Sequence, residues 1–204
     1  MPTDARRHSG AAERNRGPIL EVLQRVLPPH GRALEIAAGT GQHAVHFAAG
    51  LPGWSWCPSD PDPSALASIA AWAADAALPN LRPAVELDVL AMPWAVQGPF
   101  DAVFCANMLH ISPWATCAAL MRGAAKVAAA DAWLLTYGPY WVEGQAPSPG
   151  NVAFDADLRA RDPAWGLRFV HDVQAQAAAA GWRLDDTVAM PANNLMLVFR
   201  RLAR

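Results

Sequence analysis

Cysteine is scarce in these 204 residues: there are three, Cys57, Cys105 and Cys117, an odd number without metal-ligand spacing. That excludes a disulfide framework and a zinc site, and it points to reduced thiols in a core. Charge is scarce too, at 17% of residues, and balanced, since 16 basic and 18 acidic side chains leave a net charge of −2. This balance argues against a nucleic-acid surface, which needs a local positive excess. No apolar stretch reaches the roughly 18 residues of a spanning helix, and no apolar run follows the basic residues near the start, as a signal peptide requires. The expectation is a cytoplasmic protein with no membrane association and no bound metal. Repeats are absent as well. What is plentiful is apolar sequence, 53% of the chain, enough for one domain with a full core.

Short strand-like runs alternate with Ala-rich helical ones. Strands are expected over 33–38, 54–57, 84–89, 100–107 and 132–137, with helices over 42–49, 64–77 and 113–129 between them. A Gly/Pro-rich excursion follows Gly138. Helical sequence resumes near 155–161 and over 170–180, and the chain finishes in a hairpin, 184–190 and 195–200, turning at 191–194. Such alternation predicts an α/β fold with a mostly parallel sheet, helices on both faces, and a ligand site at the carboxyl ends of the strands.

The turn Gly39-Thr40-Gly41 follows the first strand and opens a helix, where glycine permits a sharp bend and free N–H groups favour a polar or anionic ligand. Asp60, after the second strand, stands where a carboxylate would bind ribose hydroxyls. Gly39-x-Gly41-x-x-Ala44 also fits a dinucleotide fingerprint, so an NAD-dependent oxidoreductase stays open on these residues alone. Two features favour S-adenosylmethionine instead. Glu35 sits at the strand end, where it suits an ammonium better than a pyrophosphate, and the chain ends in an antiparallel hairpin.

Glu35–Gly41 (E-x-A-x-G-x-G), Asp60, Leu87-Asp88-Val89 and the terminal hairpin resemble class I S-adenosylmethionine-dependent methyltransferases. More narrowly, several segments are similar to the DUF938/UPF0585 group, which includes the methyltransferase-like 26 proteins. These are Ala12-Glu13-Arg14-Asn15, Gly41-Gln42-His43-Ala44, Pro58-Ser59-Asp60, Tyr137-Gly138-Pro139-Tyr140, Trp165-Gly166-Leu167-Arg168 and Met190-Pro191-Ala192-Asn193-Asn194. Ala37 departs from the general pattern, where glycine is more usual.

The resemblance implies a Rossmann-like, seven-stranded sheet and S-adenosyl-L-methionine as cofactor, with S-adenosyl-L-homocysteine as product. It implies that Asp60 holds the ribose, Asp88 and the Val89 backbone meet the adenine, and Gly39 and Gly41 pass the amino-acid part. Glu35 and the Asn107 carbonyl would lie near its ammonium, and Arg14, with Asn15 beside it, would pair with its carboxylate. Residues 1–30 would then be a segment covering the cofactor and 31–204 the methyltransferase domain, with a lid-like insertion at about 138–168.

For the acceptor, His110 just past the fourth strand is the first candidate for a general base. His43 beside the cofactor loop is the second, and the only two tyrosines, Tyr137 and Tyr140, are candidates to line the pocket. Asp155, Arg159 and Arg168 would either recognise a charged acceptor or pair with one another. The expected activity is methyl transfer to oxygen, sulfur or nitrogen of a small molecule. The alternatives are a peptide or protein methyltransferase, or a non-catalytic S-adenosylmethionine-binding partner subunit.

Overall fold

The computed structural model describes residues 4–202; the outermost positions of the expected 1–30 segment and 31–204 domain, 1–3 and 203–204, lie outside the described residues. Helix α1 (Gly10–Val26) leads into β1 (Gly31–Ile36), α2 (Gln42–Gly50), β2 (Trp54–Asp60), α3 (Pro63–Ala76) and β3 (Val85–Glu86). There follow β4 (Phe100–Ala106), α4 (Ala115–Val127), β5 (Ala128–Gly138), β6 (Tyr140–Trp141), α5 (Pro149–Arg161), β7 (Arg168–Phe169), α6 (Val170–Ala179), β8 (Trp182–Met190) and β9 (Asn194–Arg201).

Seven strands form one sheet in the order β3-β2-β1-β4-β5-β9-β8, parallel except for β9, which runs antiparallel to both neighbours. The expected fold class is therefore the one observed. Strands β6 and β7 form a separate two-stranded ribbon. Alternate residues of β1 feed two cores. Leu34 and Ile36 join Leu120, Met121 and Val173 of α4 and α6, while Ala33 joins Ile19, Leu23, Phe47, Trp56 and Phe104 with α1 and α2. The strands read as near-continuous apolar runs because both faces are covered.

Element boundaries shift from the sequence expectation, and three differences have a local cause. Helix α1 occupies most of the 1–30 segment that the resemblance gives only a covering role, and it contains Gly17 and Pro18. It forms anyway: Ser9 caps it by accepting from the Ala12 amide, and Ile19, Val22 and Leu23 bury on α2, so packing outweighs weak propensity. Strand β3 keeps only two of its six expected residues, because Asp88 Oδ1 accepts from the Leu90 amide at 2.9 Å and turns the chain out of the sheet. Helix α5 begins at Pro149 rather than near Asp155, with Ser148 as its cap.

Candidate functional site

Strand β1 ends where the backbone turns left-handed at Ala37 (φ 54°), Gly39 (φ 58°) and Gly41 (φ 89°). Ala37 holds there the conformation that glycine takes at low cost. The two glycines do different work. A Cβ on Gly39 would meet nothing closer than the Ala37 carbonyl at 4.0 Å, so that side of the turn is open to a ligand. A Cβ on Gly41 would stand 2.8 Å from Ile69 Cα, so Gly41 is required for α3 to pack on the turn.

Asp60 ends β2 and ties this turn together. Its Oδ2 accepts from the Gly39 amide at 2.9 Å and its Oδ1 from the Asp62 amide at 2.9 Å, which leaves a second lone pair on each oxygen. Beside it opens a cavity of ≈ 290 Å³ whose lining includes Ala37, Asp60, Asp88, Val89, Ala106 and Met108. It lies at the carboxyl ends of β1, β2 and β4, as the parallel topology requires. The Val89 carbonyl is taken by Trp94 Nε1, and Asp88 is exposed on the rim.

Glu35 is fully buried and accepts from Trp56 Nε1 at 2.7 Å; burial pushes its carboxyl up to about 8. The structure thus gives it a partner in the core, and the neutral acid is its resting form at neutral pH. Asn107, left-handed at φ 62°, follows β4, and its carbonyl accepts from the His110 amide at 3.0 Å.

Helix α1 lies over the turn from the other side. Gln42 Oε1 accepts from the Ser9 amide at 2.6 Å and from Thr40 Oγ1 at 3.1 Å, and Gln42 Nε2 donates to Glu13 at 3.2 Å. Sequence reasoning passed over Gln42; the signal was a polar residue at a core position of an Ala-rich helix. Asn15 Oδ1 lies 2.7 Å from His43 Nε2, and burial pushes the pKa of the Tyr137 hydroxyl up. Burial takes His43 down to about 4, so the imidazole is neutral and bonded rather than a ready base. Arg14 is exposed and makes no hydrogen bond or ion pair among the described residues.

His110 is buried and both its ring nitrogens lack a partner among the described residues. Its ring meets Tyr140 edge-on at 4.7 Å between centroids and occupies the space a Cβ on Gly138 would fill. Burial and the Arg168 charge take it down to about 3. Tyr140 donates to Thr136 Oγ1 at 2.9 Å in the core, and the residue also borders a cavity of ≈ 240 Å³. The segment expected as a lid, 138–168, carries β6 and α5 and borders two cavities of ≈ 470 and ≈ 240 Å³ that share Trp141 and Gln145. Arg159 and Arg168 find partners within the protein. Arg159 Nε pairs with Asp155 at 2.8 Å, and Arg168 donates to the carbonyls of Leu109, Ser112 and Ala164.

Among the described residues no helix is long and apolar enough to cross a membrane, and no cluster of His, Cys, Asp and Glu could hold a metal ion.

Solved structures share this fold. The mitomycin 7-O-methyltransferase MmcR superposes with a TM-score of 0.81 over 94% of this chain and 54% of its own, at 14% identity. A putative O-methyltransferase from Nostoc punctiforme PCC 73102 gives 0.78 over 91% and 56%, at 18% identity. CalO1, a methyltransferase in calicheamicin biosynthesis in its S-adenosylhomocysteine-bound form, gives 0.75 over 95% and 56%, at 18% identity. The chain spans a little over half the length of these proteins, and at such identities the likeness is one of fold. The sequence matches the family described as "Protein of unknown function (DUF938)" across residues 6–201, and the chain belongs to that family.

Proposed function

We propose that the protein is a class I methyltransferase that uses S-adenosyl-L-methionine and methylates a small molecule at oxygen, sulfur or nitrogen. The observation that carries this reading is Asp60, which accepts from the Gly39 amide and lines the ≈ 290 Å³ cavity together with Asp88 and Val89, on a seven-stranded sheet with an antiparallel β9. The residues fit the cofactor. Asp60 has one free lone pair on each oxygen for vicinal ribose hydroxyls, a charge-assisted arrangement. Asp88 and the Val89 backbone border the same cavity for the adenine, with Leu87 and Met108 as apolar walls.

The cofactor supplies an electrophilic methyl on a sulfonium, transferred by in-line displacement that leaves a neutral thioether. The chain's own part is to align the acceptor with that methyl and exclude water. Where the acceptor carries a proton, His110 is the candidate base. It is neutral, its nitrogens are unsatisfied, and it follows the end of β4. A small acceptor suits the two modest cavities under 138–168. It also suits the neighbours, of which one is named for mitomycin and one for calicheamicin biosynthesis.

Calorimetric titration with S-adenosyl-L-homocysteine, with NAD in parallel, tests the reading. Binding of the first alone supports it and leads to a screen of small-molecule acceptors with labelled methyl. Binding of NAD alone overturns it.

A further inference from the structure

The cavity of ≈ 240 Å³ is walled by β6, the start of α5 and the β8–β9 hairpin. Its place along the sheet follows from strand pairing. Ala106 of β4 lines the Asp60 cavity and pairs with Tyr137 of β5. The next residue, Gly138, pairs with Leu195 of β9, and Leu195 lines the ≈ 240 Å³ cavity. Both cavities therefore stand on one edge of the sheet. The strands that mark them, β4 and β9, are two strand spacings apart, about 10 Å. That is short enough for a group carried by a nucleoside in the first to meet a molecule in the second.

Among the described residues that line this second cavity none is charged. Its polar side chains are the amides Gln145, Asn151, Asn193 and Asn194 and the hydroxyls Ser148 and Tyr140. Trp141 and Pro147 supply apolar wall and continue into the ≈ 470 Å³ cavity next to it, whose charged lining residues, Glu143 and His171, face each other at 3.6 Å. Asn151 is firmly held. It is 8% exposed, its Nδ2 donates to the Asn193 carbonyl at 3.1 Å, and its backbone amide donates to Ser148 Oγ at 3.2 Å. A carbonyl only accepts, so the amide nitrogen must face Asn193, and Oδ1 points elsewhere. That oxygen has no partner among the described residues, yet it is not sealed in the core. A ligand that brings an O–H or N–H satisfies it. An anion would meet a carbonyl oxygen and no cation, and a charge of either sign would give up its water to a neutral cavity.

We propose that this cavity takes the methyl acceptor, that the acceptor is an uncharged molecule with an apolar body, and that Asn151 Oδ1 accepts from one of its O–H or N–H groups. This rests on the methyltransferase reading above. Asn151 thereby selects for a neutral donor, while Trp141 and Pro147 hold the apolar body and let it extend into the larger cavity.

The experiment titrates three probes of one shape into the full chain saturated with S-adenosyl-L-homocysteine, followed by NMR at the Trp141 indole N–H. Benzamide is neutral and carries N–H donors, acetophenone is neutral without a donor, and benzoate is an anion. Benzamide is expected to bind about fivefold more tightly than acetophenone, the scale of one neutral hydrogen bond, and at least about tenfold more tightly than benzoate. Asn151→Ala is expected to bring benzamide to the level of acetophenone and to leave acetophenone unchanged, which a loss of shape alone would not do. Gln145→Arg alters a side chain that makes no hydrogen bond among the described residues, and it is expected to strengthen benzoate about tenfold by supplying the missing cation. Binding of benzoate as tight as that of benzamide, no response at Trp141, or equal weakening of both neutral probes by Asn151→Ala overturns the proposal. Should Asn151→Ala not fold, Gln145→Arg decides alone, and unchanged benzoate binding overturns it. Failure of the unsubstituted protein to bind S-adenosyl-L-homocysteine is a different result, which removes the methyltransferase reading and the acceptor role with it.

Discussion

Trp56 Nε1 donates to the Glu35 carboxyl at 2.7 Å, inside a core formed by α1, α2 and one face of the sheet. Burial raises the Glu35 pKa to about 8, whereas the unfolded chain returns it to the ordinary carboxylate value. Between those values the folded protein holds a proton that the unfolded one has released. Stability from this group is therefore full at low pH and is lost as pH rises toward 8, at up to roughly 1.4 kcal/mol per pH unit. Glu35→Gln keeps an acceptor for Trp56 and removes the titration. Urea unfolding from pH 5 to 9 should show the variant with a flatter profile and greater stability at the alkaline end. A parallel decline in both proteins would reject the assignment.

Asp60 holds two backbone amides and offers its remaining lone pairs to a ribose. Asp60→Ala should weaken S-adenosyl-L-homocysteine by about a hundredfold, the sum of two charge-assisted hydrogen bonds at the lower end of their range. Calorimetry decides it, and unchanged affinity would remove the ribose assignment.

The two glycines of the turn should separate binding from stability. Gly41→Ala drives a methyl against the Ile69 backbone at a positive φ, and the melting curve should report a loss of about 1–3 kcal/mol. Gly39→Ala adds its methyl to open space on the ligand side. It should cost only about 1–2 kcal/mol for the left-handed backbone and show its main effect as lost cofactor affinity. If Gly41→Ala proved the milder change in stability, the packing role given to it would be wrong.

His110 is buried with two unsatisfied nitrogens, and its pKa is depressed to about 3. The unfolded imidazole takes up a proton near its ordinary 6.5, and the folded one does not until far lower pH. This group's contribution to stability is therefore present above 6.5 and declines as pH falls toward 3. His110→Leu removes the unsatisfied atoms at similar volume. It should leave neutral-pH stability unchanged or raise it by about 1 kcal/mol, spare cofactor binding, and abolish turnover of a proton-bearing acceptor. Retained turnover in that variant would exclude His110 as the base.

The alternation of strands and helices, the glycine turn after β1, the carboxylate after β2 and the closing hairpin are all legible in the order of the residues. Each is local chemistry: apolar runs of strand length, glycine where the backbone turns left-handed, asparagine and proline where it reverses. Asp60 and Asp88 line one cavity, because in a parallel sheet the residues after the strands share an edge. What the remaining side chains do depends on packing between distant segments. Helix α1 exists because its apolar stripe finds α2, despite Gly17 and Pro18. Gly41 leaves room for Ile69, Glu35 finds Trp56, and Asn15 meets His43 28 positions further along the chain. A pKa near 8 for a glutamate or near 3 for a histidine comes from burial among residues distant in sequence, and no local pattern records that.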